Sequence, residues 1–157
     1  MNTTRRDVLK KGSGMTLLGL LAAAGWLKPE EAAAQAWNKN AFDAKTMDET
    51  MKAFGGGAPA QSKDIAFVST PDIAENGAVV PIGVTSAVPK TESIAILIEK
   101  NPNMLAASFE IPAGTDPSIS TRVKMGQSSN VYALVKADGK YYIASKEIKV
   151  TLGGCGG

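Results

Sequence analysis

The chain has no histidine and a single cysteine among its 157 residues, and these two shortages remove most side-chain catalysis at once. Without imidazole there is no histidine-based triad, no histidine general base and no His-rich zinc or copper site. One thiol builds neither an internal disulfide nor a cysteine-only metal site. In an exported chain an odd cysteine points to intermolecular pairing or to a free reactive thiol. The carboxylates show no clustered pair along the sequence. An autonomous enzyme is therefore disfavoured, and we expect no catalytic residue, no metal and no cofactor on this chain.

Charge is missing from one stretch, Met15 to Trp26, and no cysteine follows that stretch until near the C-terminus. Thr4-Arg5-Arg6-Asp7-Val8-Leu9-Lys10 stands before it, and small residues lead from it to Ala34-Gln35-Ala36. A basic segment, an apolar run and an A-x-A site in that order make a secretory signal, and the paired arginines make it the twin-arginine kind. The apolar run is 12 residues long, well short of the roughly 20 needed to span a bilayer. The absence of a cysteine after it argues against a lipid anchor. We expect residues 1–36 to be removed and the mature chain to be a periplasmic protein free of the membrane. The mature chain then has equal numbers of acidic and basic residues. That balance gives no electrostatic reason to bind nucleic acid or anionic membranes.

What the sequence does have is an unusual C-terminus, Gly153-Gly154-Cys155-Gly156-Gly157. The only thiol sits between two pairs of glycines, which lack a Cβ and explore φ on both sides of zero. A thiol meant for a core is placed in a strand or helix, whereas one meant to enter another molecule's pocket is placed on a thin, pliable stalk. The nearest cation in sequence is Lys149, six positions back, and the α-carboxylate of Gly157 disfavours a nearby thiolate. A free cysteine titrates at about 8.5, so an ordinary, weakly activated thiol is expected.

Between these ends we expect a helical segment over residues 37–57, a β-sandwich over 58–152 and a carrier arm over 153–157. Met47, Met51 and Phe54 recur at i, i+4 and i+7 and predict one apolar stripe on a helix over about Asp43 to Phe54. Thr46-Met47-Asp48-Glu49 has the form of a capping box, which would start that helix a few residues later. Gly55-Gly56-Gly57 ends it. From Ile65 onward the period changes to that of strands: Ile65–Ser69, Ala78–Ser86, Ser93–Glu99, Ala106–Ile111, Ile119–Met125, Asn130–Ala137 and Lys140–Leu152. The last is long enough to be two strands with a break near Ser145-Lys146. Asp138-Gly139 predicts a tight type I′ hairpin. Short strands at this spacing predict an all-β, immunoglobulin-like sandwich of about seven strands. Ile94, Ile96 and Ile98 face one way, but Ala95 and Leu97 on the other face are apolar too. That strand needs a second cover, from a partner subunit or from the Met47/Met51/Phe54 helix.

Several stretches together carry a family resemblance: the twin-arginine signal, Ala74-Glu75-Asn76-Gly77-Ala78-Val79-Val80-Pro81, Glu99-Lys100-Asn101-Pro102-Asn103, Ala106-Ala107-Ser108-Phe109, Ser120-Thr121-Arg122-Val123-Lys124-Met125 and the terminal Gly-Gly-Cys-Gly-Gly. Along nearly its whole length the chain resembles the SoxY family of sulfur carriers. The resemblance implies a covalent carrier for thiosulfate oxidation, with Cys155 as the attachment atom and Gly153, Gly154, Gly156 and Gly157 as hinge and tip. It also implies a heterodimer with a SoxZ-like β-sandwich subunit and transient docking to SoxAX, SoxB and SoxCD-like enzymes. Two other readings stay open. One is an exported interaction module tethered to another chain by a disulfide through Cys155. The other is a ubiquitin-like carrier ending in Gly-Gly, which would need cytosolic ATP-dependent activation.

Overall fold

A computed structural model describes residues 38–151. The expected signal segment, residues 1–36, and the expected arm, residues 153–157, lie outside them.

Among the described residues two short helices come first, α1 (Lys39–Asp43) and α2 (Met47–Ala53); α2 is the helix predicted over about Asp43 to Phe54, starting later as its capping box required, and α1 is an addition before it. Capping chemistry makes the division. The Asn38 side chain accepts from the Ala41 amide at 3.1 Å and starts α1. Ala44 is extended, with ψ 135°, which stops α1. Thr46 Oγ1 then accepts from the Glu49 amide at 3.2 Å and starts α2. Glu49 reaches back to the Lys45 amide at 2.8 Å, one residue before the partner of an ideal capping box. That bond holds the Glu49 carboxyl below the usual carboxylate range, aided by the bond from Thr46 and opposed by desolvation. Gly55, at φ 71°, turns the chain out of α2.

The remaining elements are β1 (Ala60–Gln61), β2 (Ile65–Val68), β3 (Ile73–Ala74), β4 (Val80–Ser86), β5 (Thr91–Ile98), β6 (Leu105–Glu110), β7 (Ser118–Val123), β8 (Ser129–Ala137) and β9 (Lys140–Val150). One sheet runs β1-β9-β8-β5-β6, with β3 also paired to β9. The other sheet runs β2-β4-β7. Together they form an immunoglobulin-like sandwich. The seven longer strands match those predicted within a few residues, and the two-residue strands β1 and β3 are additions. Both pair in parallel with β9, at Tyr142–Ile143 and at Lys149–Val150.

β9 is one strand of eleven residues, not two. The polar pair Ser145-Lys146 continues the ladder opposite Tyr132 and Val131. Lys146 is accommodated because its ammonium donates to the Thr70 carbonyl at 2.6 Å and pairs with Asp72 at 3.0 Å. The Asp138-Gly139 turn has φ of 50° and 72° at its two residues, the signs a type I′ hairpin requires.

The doubly apolar strand is explained by the chain itself. β5 lies between β8 and β6 in the larger sheet. Ile94, Ile96 and Ile98 enter the core between the two sheets with Ile82, Val84, Val131 and Val135. Ala95 and Leu97 point to the opposite face, where Met51, Ala41, Met104, Leu134 and Ile143 bury them. Met47 and Phe54 pack on the rim of this second cluster. The helix pair is pinned there by two hydrogen bonds: Met104 N–H to the Ala44 carbonyl at 2.9 Å and the Tyr141 hydroxyl to the Phe54 carbonyl at 3.0 Å. The Ile94–Ile98 strand is therefore no docking surface, and the Met47/Met51/Phe54 stripe is a packing face for its own domain.

Candidate functional site

The proposed attachment residue Cys155 and its glycines Gly153, Gly154, Gly156 and Gly157 lie outside the described residues, so the site is built from the base on which the arm stands. β9 is held by a ladder of contacts up to its last residues. The Lys149 amide donates to the Asp72 carbonyl at 2.9 Å and the Thr151 amide to the Ala74 carbonyl at 3.0 Å. On the other side the Val150 amide donates to Ser128 Oγ at 2.9 Å. The chain is thus fixed through Thr151, and Cys155 follows four residues later. Fully extended, that interval spans roughly 13–14 Å at 3.3–3.6 Å per residue.

Three of the stretches singled out in the sequence meet around this base. Gly77 lies between Met125 and Val150 with no room for a side chain. A Cβ there would stand 2.5 Å from the Met125 carbonyl oxygen and 2.8 Å from Val150 Cγ1. The Met125 amide donates to the Gly77 carbonyl at 2.7 Å, locking the two loops together. Asn101 then ties in the third stretch, its Nδ2 donating to the Lys124 carbonyl at 2.8 Å and its Oδ1 accepting from the Gly126 amide at 3.4 Å. The neighbouring Glu99 carboxylate accepts from Asn130 at 2.8 Å, and the Lys100 amide donates to Ser129 Oγ at 3.0 Å. Asn76 closes its own turn, accepting from the Ala78 amide at 2.9 Å. The loops at this end of the sandwich are cross-linked to one another and to the strand that leads into the arm.

Among the described residues no group of acidic residues stands close enough to hold a metal ion, and no helix is long and apolar enough to cross a membrane. What this end of the molecule supplies chemically is a rigid mount. Sequence reasoning located the thiol and the turns but not the mount. Gly77 and Ser128 read only as turn residues, and nothing local shows that they grip β9.

Comparison with known proteins bears on the same region. A family model described as "Sulfur oxidation protein SoxY" matches residues 50–155, a span that ends on Cys155. No curated protein sequence matches significantly. Among solved structures, the sulfur carrier protein SoxY from Chlorobium limicola f thiosulfatophilum is similar at 35% sequence identity and a TM-score of 0.61. The match covers 69% of this chain and 97% of that one. A superoxide reductase (neelaredoxin) from Ignicoccus hospitalis is similar at 18% identity and a TM-score of 0.48, over 55% of this chain and 79% of that one. With a family model over most of its length and a relative of more than one-third identity, this chain belongs to the SoxY family of sulfur-oxidation carrier proteins.

Proposed function

We propose that this protein holds sulfur intermediates covalently on Cys155 and presents them to the enzymes of thiosulfate oxidation in the periplasm. The observation that carries this reading is the match to the SoxY family through to Cys155, the only cysteine in the chain. The fixed base supports it: a mount held through Thr151 followed by a short glycine-rich tip suits a thiol that visits several pockets from one docked body. The chain itself supplies no catalytic group and acts as a carrier subunit, not an enzyme. Export by the twin-arginine route, in the folded state, follows from Arg5-Arg6, and a SoxZ-like sandwich subunit is the expected stable partner.

The Cys155 thiolate and thiosulfate join as R–S–S–SO3⁻ with loss of two electrons, which pass to the haem of a SoxAX-type enzyme. Water then cleaves the terminal S–S bond at a SoxB-type enzyme, giving R–S–S⁻, sulfate and two protons. A SoxCD-type enzyme oxidises the remaining sulfane sulfur. Each step needs a different pocket, so reactivity comes from the enzymes and the thiol can remain ordinary.

Intact mass of the protein purified from cells oxidising thiosulfate tests this directly. A ladder of small sulfur adducts that vanishes in Cys155→Ser is the expected result. A constant protein partner released by reductant would instead establish a disulfide tether and overturn the carrier reading.

A further inference from the structure

β6 and β7 are each the last strand of their own sheet, and they flank one groove on the same side of the sandwich. The opposite side is laced shut: β1 and β3 pair with β9, and Lys146 ties β9 to the Thr70 carbonyl. On the β6–β7 side no strand among the described residues lies beyond either edge. The register tells which backbone groups are left over. The Ser86 amide donates to the Pro117 carbonyl at 2.9 Å, so the bonded pairs of β4 and β7 are Val84–Ile119, Ile82–Thr121 and Val80–Val123. The alternate pairs do not bond, and the Thr85 and Ser118 hydroxyls, 3.0 Å apart, mark one of them. Ser118, Ser120 and Arg122 therefore turn N–H and C=O away from β4. The Ser118 amide is taken up by the Asp116 carbonyl at 2.8 Å. Ser120 and Arg122 each keep an amide and a carbonyl on the open edge.

An edge of this kind is a template for another strand, and charge decides which strand it accepts. Arg122 and Lys124 are exposed and enter no ion pair among the described residues, whereas Lys39, Lys90, Lys136 and Lys146 each have one. The groove beside them encloses about 480 Å³, with Leu105, Ala107 and Val123 in its walls and no carboxylate in its lining. On β6 the Ile111 amide bonds the Glu92 carbonyl at 2.8 Å, so by the same alternation its open edge carries Ala106, Ser108 and Glu110, an acid and no cation. We propose that β7 takes up an extended segment of a partner protein as an antiparallel fourth strand of the smaller sheet, and that this segment alternates acidic and apolar residues. Directly opposed residues share a face of the sheet. The residues opposite Arg122 and, one step past the strand, Lys124 are acids on the outer face. Those opposite Thr121 and Val123 are apolar and turn into the groove. Asn101 bonds the Lys124 carbonyl and the Gly126 amide, so the groove ends at the loops that grip β9. A partner held here is held at the end of the molecule where the arm begins. The inference makes no use of Cys155 and stands apart from the carrier reading.

The test uses the exported chain and an acetylated Glu-Val-Glu-Val-Ser-Val amide, whose glutamates meet Lys124 and Arg122 and whose serine meets Ser120 in the antiparallel register. Amide exchange is followed residue by residue. With about nine-tenths of the chain occupied, the Ser120 and Arg122 amides should exchange roughly tenfold more slowly, while Thr121, already bonded to Ile82, changes little. R122Q/K124Q should bind the peptide roughly three- to tenfold more weakly, the range that two exposed charge contacts sustain. That difference should vanish near 1 M salt, where the Debye length is about 3 Å. Ser120→Pro removes the outward N–H, which an edge strand tolerates, and should lower binding at least about tenfold at an unchanged melting temperature. If that variant melts early, R122Q/K124Q, altered only at exposed side chains, decides the matter. A Glu-Glu-Ser-Val-Val-Val amide, equal in charge and composition, should leave both amides unprotected. Equal protection by the two peptides would reduce the effect to charge attraction and overturn the proposal. Protection of Ala106 and Ser108 in place of Ser120 and Arg122 would put the strand on β6 and overturn it, as would no binding by the wild type. Protection of Ser120 and Arg122 that rises with chain concentration, without peptide, would make a second copy of this chain the occupant and overturn it as well.

Discussion

Gly77→Ala is the sharpest perturbation of the arm's base. The φ at Gly77 is not in the left-handed region, so backbone strain plays no part and the effect is one of space. The added methyl would stand 2.5 Å from the Met125 carbonyl oxygen and 2.8 Å from Val150 Cγ1. The first of these is backbone, and it cannot retreat without stretching the 2.7 Å bond from the Met125 amide to the Gly77 carbonyl. The second pushes on β9 one residue before Thr151. Forcing a methyl into a closed site of this kind costs about 1–3 kcal/mol. For a domain of this size that lowers the melting temperature by roughly 4–15 °C. Gly126→Ala is the matched control in the same cluster of loops: a Cβ there would meet nothing within 4 Å, and its stability should stay within about 0.5 kcal/mol of wild type. Calorimetry of the three proteins measures the difference, and hydrogen exchange at the Thr151 amide, bonded to Ala74, reports whether the root has loosened. A Gly77→Ala protein that melts within about 1 °C of wild type would show that the base is not close-packed around Gly77 and would sink the rigid-mount reading.

Three further outcomes follow from the same geometry. Met51→Ala should lose about 2–5 kcal/mol in urea unfolding of the isolated chain, because Met51 is 4% exposed and covers Leu97 from within the domain; a loss seen only when a partner subunit is present would return that face to a partner. The Glu92 carboxyl is held below its ordinary range by the Lys136 ammonium at 3.1 Å and then by the Gly139 amide. A carboxylate so lowered stabilises the fold above pH 4.5 and gives up that contribution as pH falls below it. The melting temperature of Glu92→Gln should therefore fall less steeply in acid than that of wild type, and parallel curves would remove the pair from the account. Gly154→Val and Gly156→Val should slow sulfur loading and unloading by the purified enzymes while alkylation of Cys155 in the free protein stays at the rate of a model thiol; wild-type turnover in both variants would mean the glycines are only a loose tail.

The strands were legible because alternation and turn chemistry coincide along this chain. Ile94, Ile96 and Ile98, or Asp138-Gly139, state their structure within a few residues. β1 and β3 were not, since each is two residues long and exists only through a parallel pairing with β9, far along the chain. The stripe of Met47, Met51 and Phe54 announced a helix and left open what it covers, because an amphipathic face looks the same whether its cover is its own sheet or another subunit. The helix start was legible in Thr46 and Glu49, whose capping chemistry is local, while the division into two helices also needed Asn38 and an extended Ala44. Cys155 stood out by composition alone. The mount beneath it did not, because Gly77, Met125 and Val150 become neighbours only once distant loops close around β9.

The placement of β9 ties the thiol to the completion of folding. This strand pairs with β8 along most of its length and supplies the partner edge for both β1 and β3, so the larger sheet cannot close without it. Its contacts with Ala60, Ile73 and Ala74 join distant parts of the chain, the kind of long-range pairing that forms late. During synthesis the thiol leaves the ribosome after every one of these strands. A chain cut short before the thiol lacks the reactive group, and one cut short a little earlier lacks the strand that seals its sheet. Order of manufacture therefore acts as a form of proofreading, in which a reactive sulfur is issued only to molecules that possess every segment needed to fold.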